Sequence, residues 1–83
     1  MKTPRRSRAS AFVAINGEAL REARKQRGLS VEQLATRVGV TKAYISKLEL
    51  GYSPRCSVTV HASLVQSLRP ARSDAFRNDK AVA

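Results

Sequence analysis

From Ile15 to Leu68 the apolar residues recur at three- and four-residue spacing, the period of helices that each bury one face. Polar punctuation divides this stretch. Asn16 caps a first helix, Glu18 sits in its first turn where the positive dipole end favours an acid, and Ile15 and Leu20 are placed as a hydrophobic staple. That helix runs to Arg27 and stops at Gly28. The run Ser30-Val31-Glu32-Gln33 is a capping box ahead of Leu34 and Ala35, and the second helix it opens ends at Gly39. Thr41 caps a third helix through Tyr44, Ile45, Leu48 and Glu49, closed by Gly51. Ser57 caps a fourth, whose Val58, His61, Leu64, Val65 and Leu68 form one stripe. Pro70 ends it, and a short fifth helix holding Phe76 is expected beyond. Phe12 to Ile15 reads either as a short strand or as an extended lead-in. The expected fold is all-α, with five helices.

Only Gly39, Val40 and Thr41 separate the second and third helices. Helices this close must cross steeply, with Gly39 taking a positive φ and Ala35 small enough to let them touch. The pattern is a helix-turn-helix, although capped helix pairs are common in helical proteins, and charge strengthens the functional reading. Sixteen Lys and Arg against six Asp and Glu give a net charge of +10, which points to a polyanionic partner, nucleic acid before an anionic membrane surface. The densest block is residues 1–10, where Lys2, Arg5, Arg6 and Arg8 have no acid among them and almost nothing apolar to bury. This is expected to be a flexible basic arm whose Arg5, Arg6 and Arg8 lie along phosphates or in a minor groove once DNA is bound, the alternative being a solubilising tail with no defined place. Residues 11–77 are expected to form the helix-turn-helix, DNA-binding domain and 78–83 a tail without periodicity.

The outward face of the third helix carries the candidate chemistry. At about 100° per residue, burial of Ile45 and Leu48 turns Ala43, Ser46, Lys47 and Leu50 outward, with Lys42 at the N-terminal end and Tyr44 on the flank. A small residue, a hydroxyl and two lysines without an acid fit a major groove about 12 Å wide. Thr41 and Ser30, at the two helix starts, and Arg55, in the loop before the fourth helix, are expected to contact DNA as well, the last at phosphates. Catalysis has no candidate residues: paired carboxylates, a Ser/Cys-His-Asp set and a glycine-rich phosphate loop are all missing. No cofactor or small-molecule substrate is implied. The lone Cys56 forms no internal disulfide and, with only His61 beside it, no zinc site. Cys56 is most simply an inert residue at a loop–helix junction and His61 a satisfied or partly buried structural histidine. No apolar run approaches the roughly 18 residues of a spanning helix, so the expectation is a cytoplasmic, nucleoid-associated protein.

Two charges lie at the edges of buried faces. Arg24 is four residues after Leu20 and Glu49 four after Ile45, on helices expected to pack together, so a pair between them is expected, the alternative being two separate solvated charges.

The stretch from Leu20 to Gly51, L-R-E-A-R-K-Q-R-G-L-S-V-E-Q-L-A-T-R-V-G-V-T-K-A-Y-I-S-K-L-E-L-G, resembles the phage-repressor family of helix-turn-helix proteins, the Xre/Cro type. The family pattern falls on Arg24, Leu29, Ser30, Leu34, Ala35, Gly39, Val40, Thr41, Ile45, Ser46, Glu49 and Gly51. With the fourth helix the likeness spans about residues 17–69. It implies a lambda-repressor-like five-helix DNA-binding domain in which Arg24 and Glu49 tie the first helix to the third. Two departures matter. Many members open the second helix with a Gln that buttresses the recognition helix and touches the phosphate backbone; here that residue is Val31. The loop after the third helix, usually rich in Arg, Asn and Lys, reads Gly51-Tyr52-Ser53-Pro54-Arg55-Cys56-Ser57.

These features lead to a sequence-specific, repressor-like transcriptional regulator that binds double-stranded DNA through a helix spanning about residues 42–50; a palindromic operator would imply a homodimer. Two alternatives stay open, a DNA-architectural or excision accessory factor and an antitoxin-like module whose main partner is another protein.

Overall fold

A computed structural model describes residues 12–72 and 74–78 of the chain. In chain order the elements are β1 (Phe12–Ala14), α1 (Gly17–Gln26), α2 (Val31–Val38), α3 (Lys42–Leu50), β2 (Arg55–Ser57) and α4 (Val58–Leu68). Each helix begins at a side chain that accepts a backbone N–H the helix cannot itself satisfy. Asn16 Oδ1 accepts from Ala19 at 3.2 Å, Thr41 Oγ1 from Tyr44 at 3.1 Å and Ser57 Oγ from Val60 at 3.1 Å. At α2 the box is reciprocal. Ser30 Oγ accepts from the Gln33 N–H at 3.0 Å, and Gln33 Oε1 accepts from the Ser30 N–H at 2.8 Å.

Leu20, Leu34, Ile45, Leu48, Leu64 and Leu68, one or two from each helix, meet in a single core with Val13, Ile15, Ala35, Cys56 and Phe76. Gly39 ends α2 at φ +86°, the left-handed conformation that turns the chain directly into α3. The start of α1 presses on the end of α3 so closely that a Cβ at Gly17 would collide with the carbonyl oxygens of Leu48 and Glu49.

The fold departs from the expected all-α, five-helix architecture in two linked ways. Four helices are described rather than five, and they are joined by a two-stranded antiparallel ribbon. Phe12 to Ala14 is a strand because it has a partner, β2, in the register Phe12↔Ser57, Val13↔Cys56, Ala14↔Arg55. Alternation sends Val13 and Cys56 into the core and leaves Phe12 and Arg55 outside. Cys56 is therefore an inward strand residue, and burial pushes its thiol pKa up to about 11, which makes it a poor nucleophile.

The expected fifth helix is replaced by a turn over residues 74–76 that drops Phe76 into the core. After Pro70 a single large apolar side chain needs anchoring, and a turn delivers it. The backbone there is satisfied sideways by β1 and the residues that lead from it into α1: Phe76 O accepts from the Asn16 N–H at 2.7 Å, and the Asn78 N–H donates to Ala14 O at 2.9 Å. Asn78, expected to begin the tail, is thus tied to the domain. β1 lies between the α3–α4 connection on one edge and the C-terminal segment on the other.

Candidate nucleic-acid interface

The helix pair presents α3 as expected from its buried side. Ile45 and Leu48 are fully buried, while Thr41, Lys42, Ala43, Lys47 and Leu50 are exposed and Ser46 is half-buried. A nine-residue helix is about 13 Å long, so Lys42 and Lys47 stand one and a half turns apart along it. The helix's one carboxylate is turned away from this face. Glu49 receives Arg24 through two bonds, Nε to Oε2 at 2.7 Å and Nη2 to Oε1 at 3.1 Å, while Arg24 Nη1 donates to Leu29 O at 2.8 Å. The pair is 11% and 5% exposed, so it is desolvated and leaves the outer face of α3 with two lysines and no acid.

Thr41 and Ser30 are engaged as caps, but a hydroxyl that accepts keeps its own O–H to donate. Tyr44 is half-buried and packs against the core beside Cys56, and desolvation there, with a smaller contribution from that thiol, raises its phenol pKa. Its ring thus lies between the outer face and the core. Val31, where many family members carry Gln, is half-buried against the core and has no polar atom to offer. Arg55 is exposed on β2, separate from the helix pair, and Arg5, Arg6 and Arg8 lie outside the described residues.

Three features were missed in the sequence. Phe12 is 58% exposed, and its ring lies 5.6 Å from the Arg55 guanidinium carbon. Leu50 and Tyr52, 66% and 77% exposed, continue the outer side of α3 into the loop. The helical period had turned Leu50 outward without giving it a role. The partnership of Phe12 with Arg55 had no local signal, because it depends on a pairing across more than forty residues.

Fold and face together define a helix-turn-helix domain, and residues 20–55 match the helix-turn-helix family profile. The restriction-modification controller protein C.AhdI from Aeromonas hydrophila is 30% identical, with a TM-score of 0.64 over 71% of this chain and 86% of that one. The biofilm master regulator SinR, in a crystal structure with DNA, is 25% identical, with a TM-score of 0.67 over 72% of this chain and 97% of that one. A Methanoregula boonei protein named as an HTH-type transcriptional regulatory protein is 32% identical over 74 residues, and the chain spans 23% of its length. The chain belongs to the Xre/Cro-type helix-turn-helix family.

Proposed function

We propose that this protein is a DNA-binding transcriptional regulator of the repressor kind, that it recognises a specific duplex sequence with α3 in the major groove, and that it acts as a homodimer on a palindromic operator. The observation that carries the reading is the acid-free outer face of α3, held across the Gly39 turn by α2 and kept acid-free by the Arg24–Glu49 pair. Lys42 and Lys47 donate to guanine O6 and N7 or to flanking phosphates, Ser46 and Thr41 add hydroxyl contacts, Ala43 allows close approach, and Tyr44 touches the groove edge. Ser30 and Arg55 bind phosphates on either side, which fixes register without reading sequence. The basic arm with Arg5, Arg6 and Arg8 follows phosphates or a minor groove. The relatives lend support: SinR was crystallised with DNA, and the M. boonei protein bears a transcriptional-regulator name.

Selection of bound sites from random duplexes tests the proposal. A palindromic consensus with half-sites about 10 base pairs apart is expected, together with affinity that falls by about three decades between 50 and 200 mM salt if some six phosphates are neutralised. Enrichment of no motif, with binding indifferent to salt, would overturn it.

A further inference from the structure

The regulator reading gives Arg55 a phosphate to bind, and the ribbon explains how that arginine is held. On the β1–β2 ribbon the outward positions are Phe12 and Ala14 opposite Ser57 and Arg55. Phe12 and Arg55 are diagonal neighbours on that face, a separation that aromatic and long side chains bridge. The guanidinium lies over the ring at 5.6 Å, within cation–π range. Phe12 contributes nothing to the core, whose strand residue is Val13, and it leaves more than half of a large apolar side chain in water.

Three other arginines of the domain are held by oxygen. Arg24 is bound by Glu49, Arg27 by the carbonyls of Leu68 and Arg69, and Arg72 by Asp74. Among the described residues no carboxylate pairs with Arg55. The chemistry of the two kinds of support differs. A carboxylate positions a guanidinium and also neutralises it, occupying the donors a phosphate would need. An aromatic face positions it and leaves both its charge and its N–H fork free.

The support is also fixed relative to α3. The Ser53 N–H donates to Lys47 O at 3.0 Å and the Ile15 N–H to Pro54 O at 2.8 Å, which pins the connecting loop from both sides. Four residues from Gly51 to Arg55 span at most about 14 Å, comparable with the roughly 12 Å width of the groove that α3 would enter. We therefore propose that Phe12 is a positioning residue for DNA binding, its ring holding the uncompensated Arg55 guanidinium ready for a backbone phosphate beside that groove. This rests on the duplex-binding reading above.

The experiment is a double-mutant cycle on binding of the full chain to its selected duplex and to a mixed-sequence duplex of about two helical turns, with thermal unfolding measured in parallel. Phe12→Leu keeps an apolar side chain and removes the π face; Phe12→Trp restores it. Phe12→Leu is expected to weaken binding to both duplexes about two- to fivefold with unchanged Tm, Phe12→Trp to bind as the native protein does, and Phe12→Leu to have no further effect once Arg55→Ala is present. An undiminished Phe12→Leu effect in the Arg55→Ala background, or no effect in the native background, would overturn the proposal while leaving duplex binding intact. Failure of the native protein to bind either duplex would overturn the regulator reading and this inference with it.

Discussion

The α2–α3 pair and the ribbon that joins β1 to the α3–α4 connection are built by opposite means. Each helix of the pair carries its own start and stop: Ser30 with Gln33, Thr41, Gly39 and Gly51 act within four residues of the backbone groups they satisfy. The ribbon carries almost none of this. β1 exists because residues 55–57 lie on one edge and residues 76–78 on the other, and neither neighbour is visible from the composition of Phe12 to Ala14. The comparison teaches that in a domain this small the helix pair is locally encoded, whereas the framework that carries Arg55 beside it depends on long-range closure. Perturbations of the two regions should differ accordingly.

The largest expected effects are on stability. Glu49→Ala leaves Arg24 nearly buried with one carbonyl partner and should cost about 3–5 kcal/mol in denaturant unfolding. Arg72→Ala, which breaks an ion pair 77% and 39% exposed, should cost less than about 1 kcal/mol. A similar loss for both would mean that the pair joining α1 to α3 is effectively solvated. Phe76→Ala tests the ribbon with comparable force. Loss of this buried ring should cost about 3–5 kcal/mol and lower the melting of the helices along with that of the ribbon. If the helical signal melts unchanged while the C-terminal segment frays, ribbon and helix pair are separate cooperative units.

How much of this was legible in the sequence follows the same division. The four caps, the capping box, the left-handed Gly39 and the bidentate Arg24–Glu49 contact correspond to residues whose roles act through neighbours in sequence or through the family pattern. The fifth helix was read from Pro70 and a lone Phe76, a helix stop and one apolar residue without a stripe. Buried anchoring by a turn leaves the same trace. β2 was hidden because Arg55, Cys56 and Ser57 are too few to show alternation by themselves. The outer face of α3 followed from helical period once Ile45 and Leu48 were recognised as buried, and the half-burial of Tyr44 agrees with its place on the flank.

A smaller effect, confined to binding, sharpens the comparison at the interface. Lys47→Ala should weaken binding to the selected duplex by about 1–3 kcal/mol and relax base preference at one position, because the lysine stands mid-helix on the outer face. Arg55→Ala should weaken all duplexes alike and reduce the salt slope by about one. Gel-shift titrations on matched and mismatched sites distinguish them, and identical behaviour of the two variants would erase the division between a reading helix and a clamping ribbon.

The smallest effect tests the seam where α4 meets the C-terminal segment. His61 is half-buried with its Nε2 turned inward and unpartnered, in a cleft that also holds Gln66, Asp74 and Arg77. Desolvation first, and the positive charge of Arg77 second, lower its pKa below the ordinary 6.5. Asp74 faces the same cleft, but its carboxylate is shared with Arg72 at 3.0 Å. Well above pH 6.5 the imidazole is neutral in both folded and unfolded chains and contributes no pH dependence. As the pH falls through 6.5 the unfolded chain takes up the proton first, so stability declines, and the decline from this group stops only once the pH has passed the lower folded-state pKa. The melting temperature should therefore drop as the pH falls below 6.5, and His61→Gln, which does not titrate, should flatten that part of the curve. Parallel curves for the native protein and the variant would mean that the seam opens freely enough for the histidine to be protonated without loss of the fold.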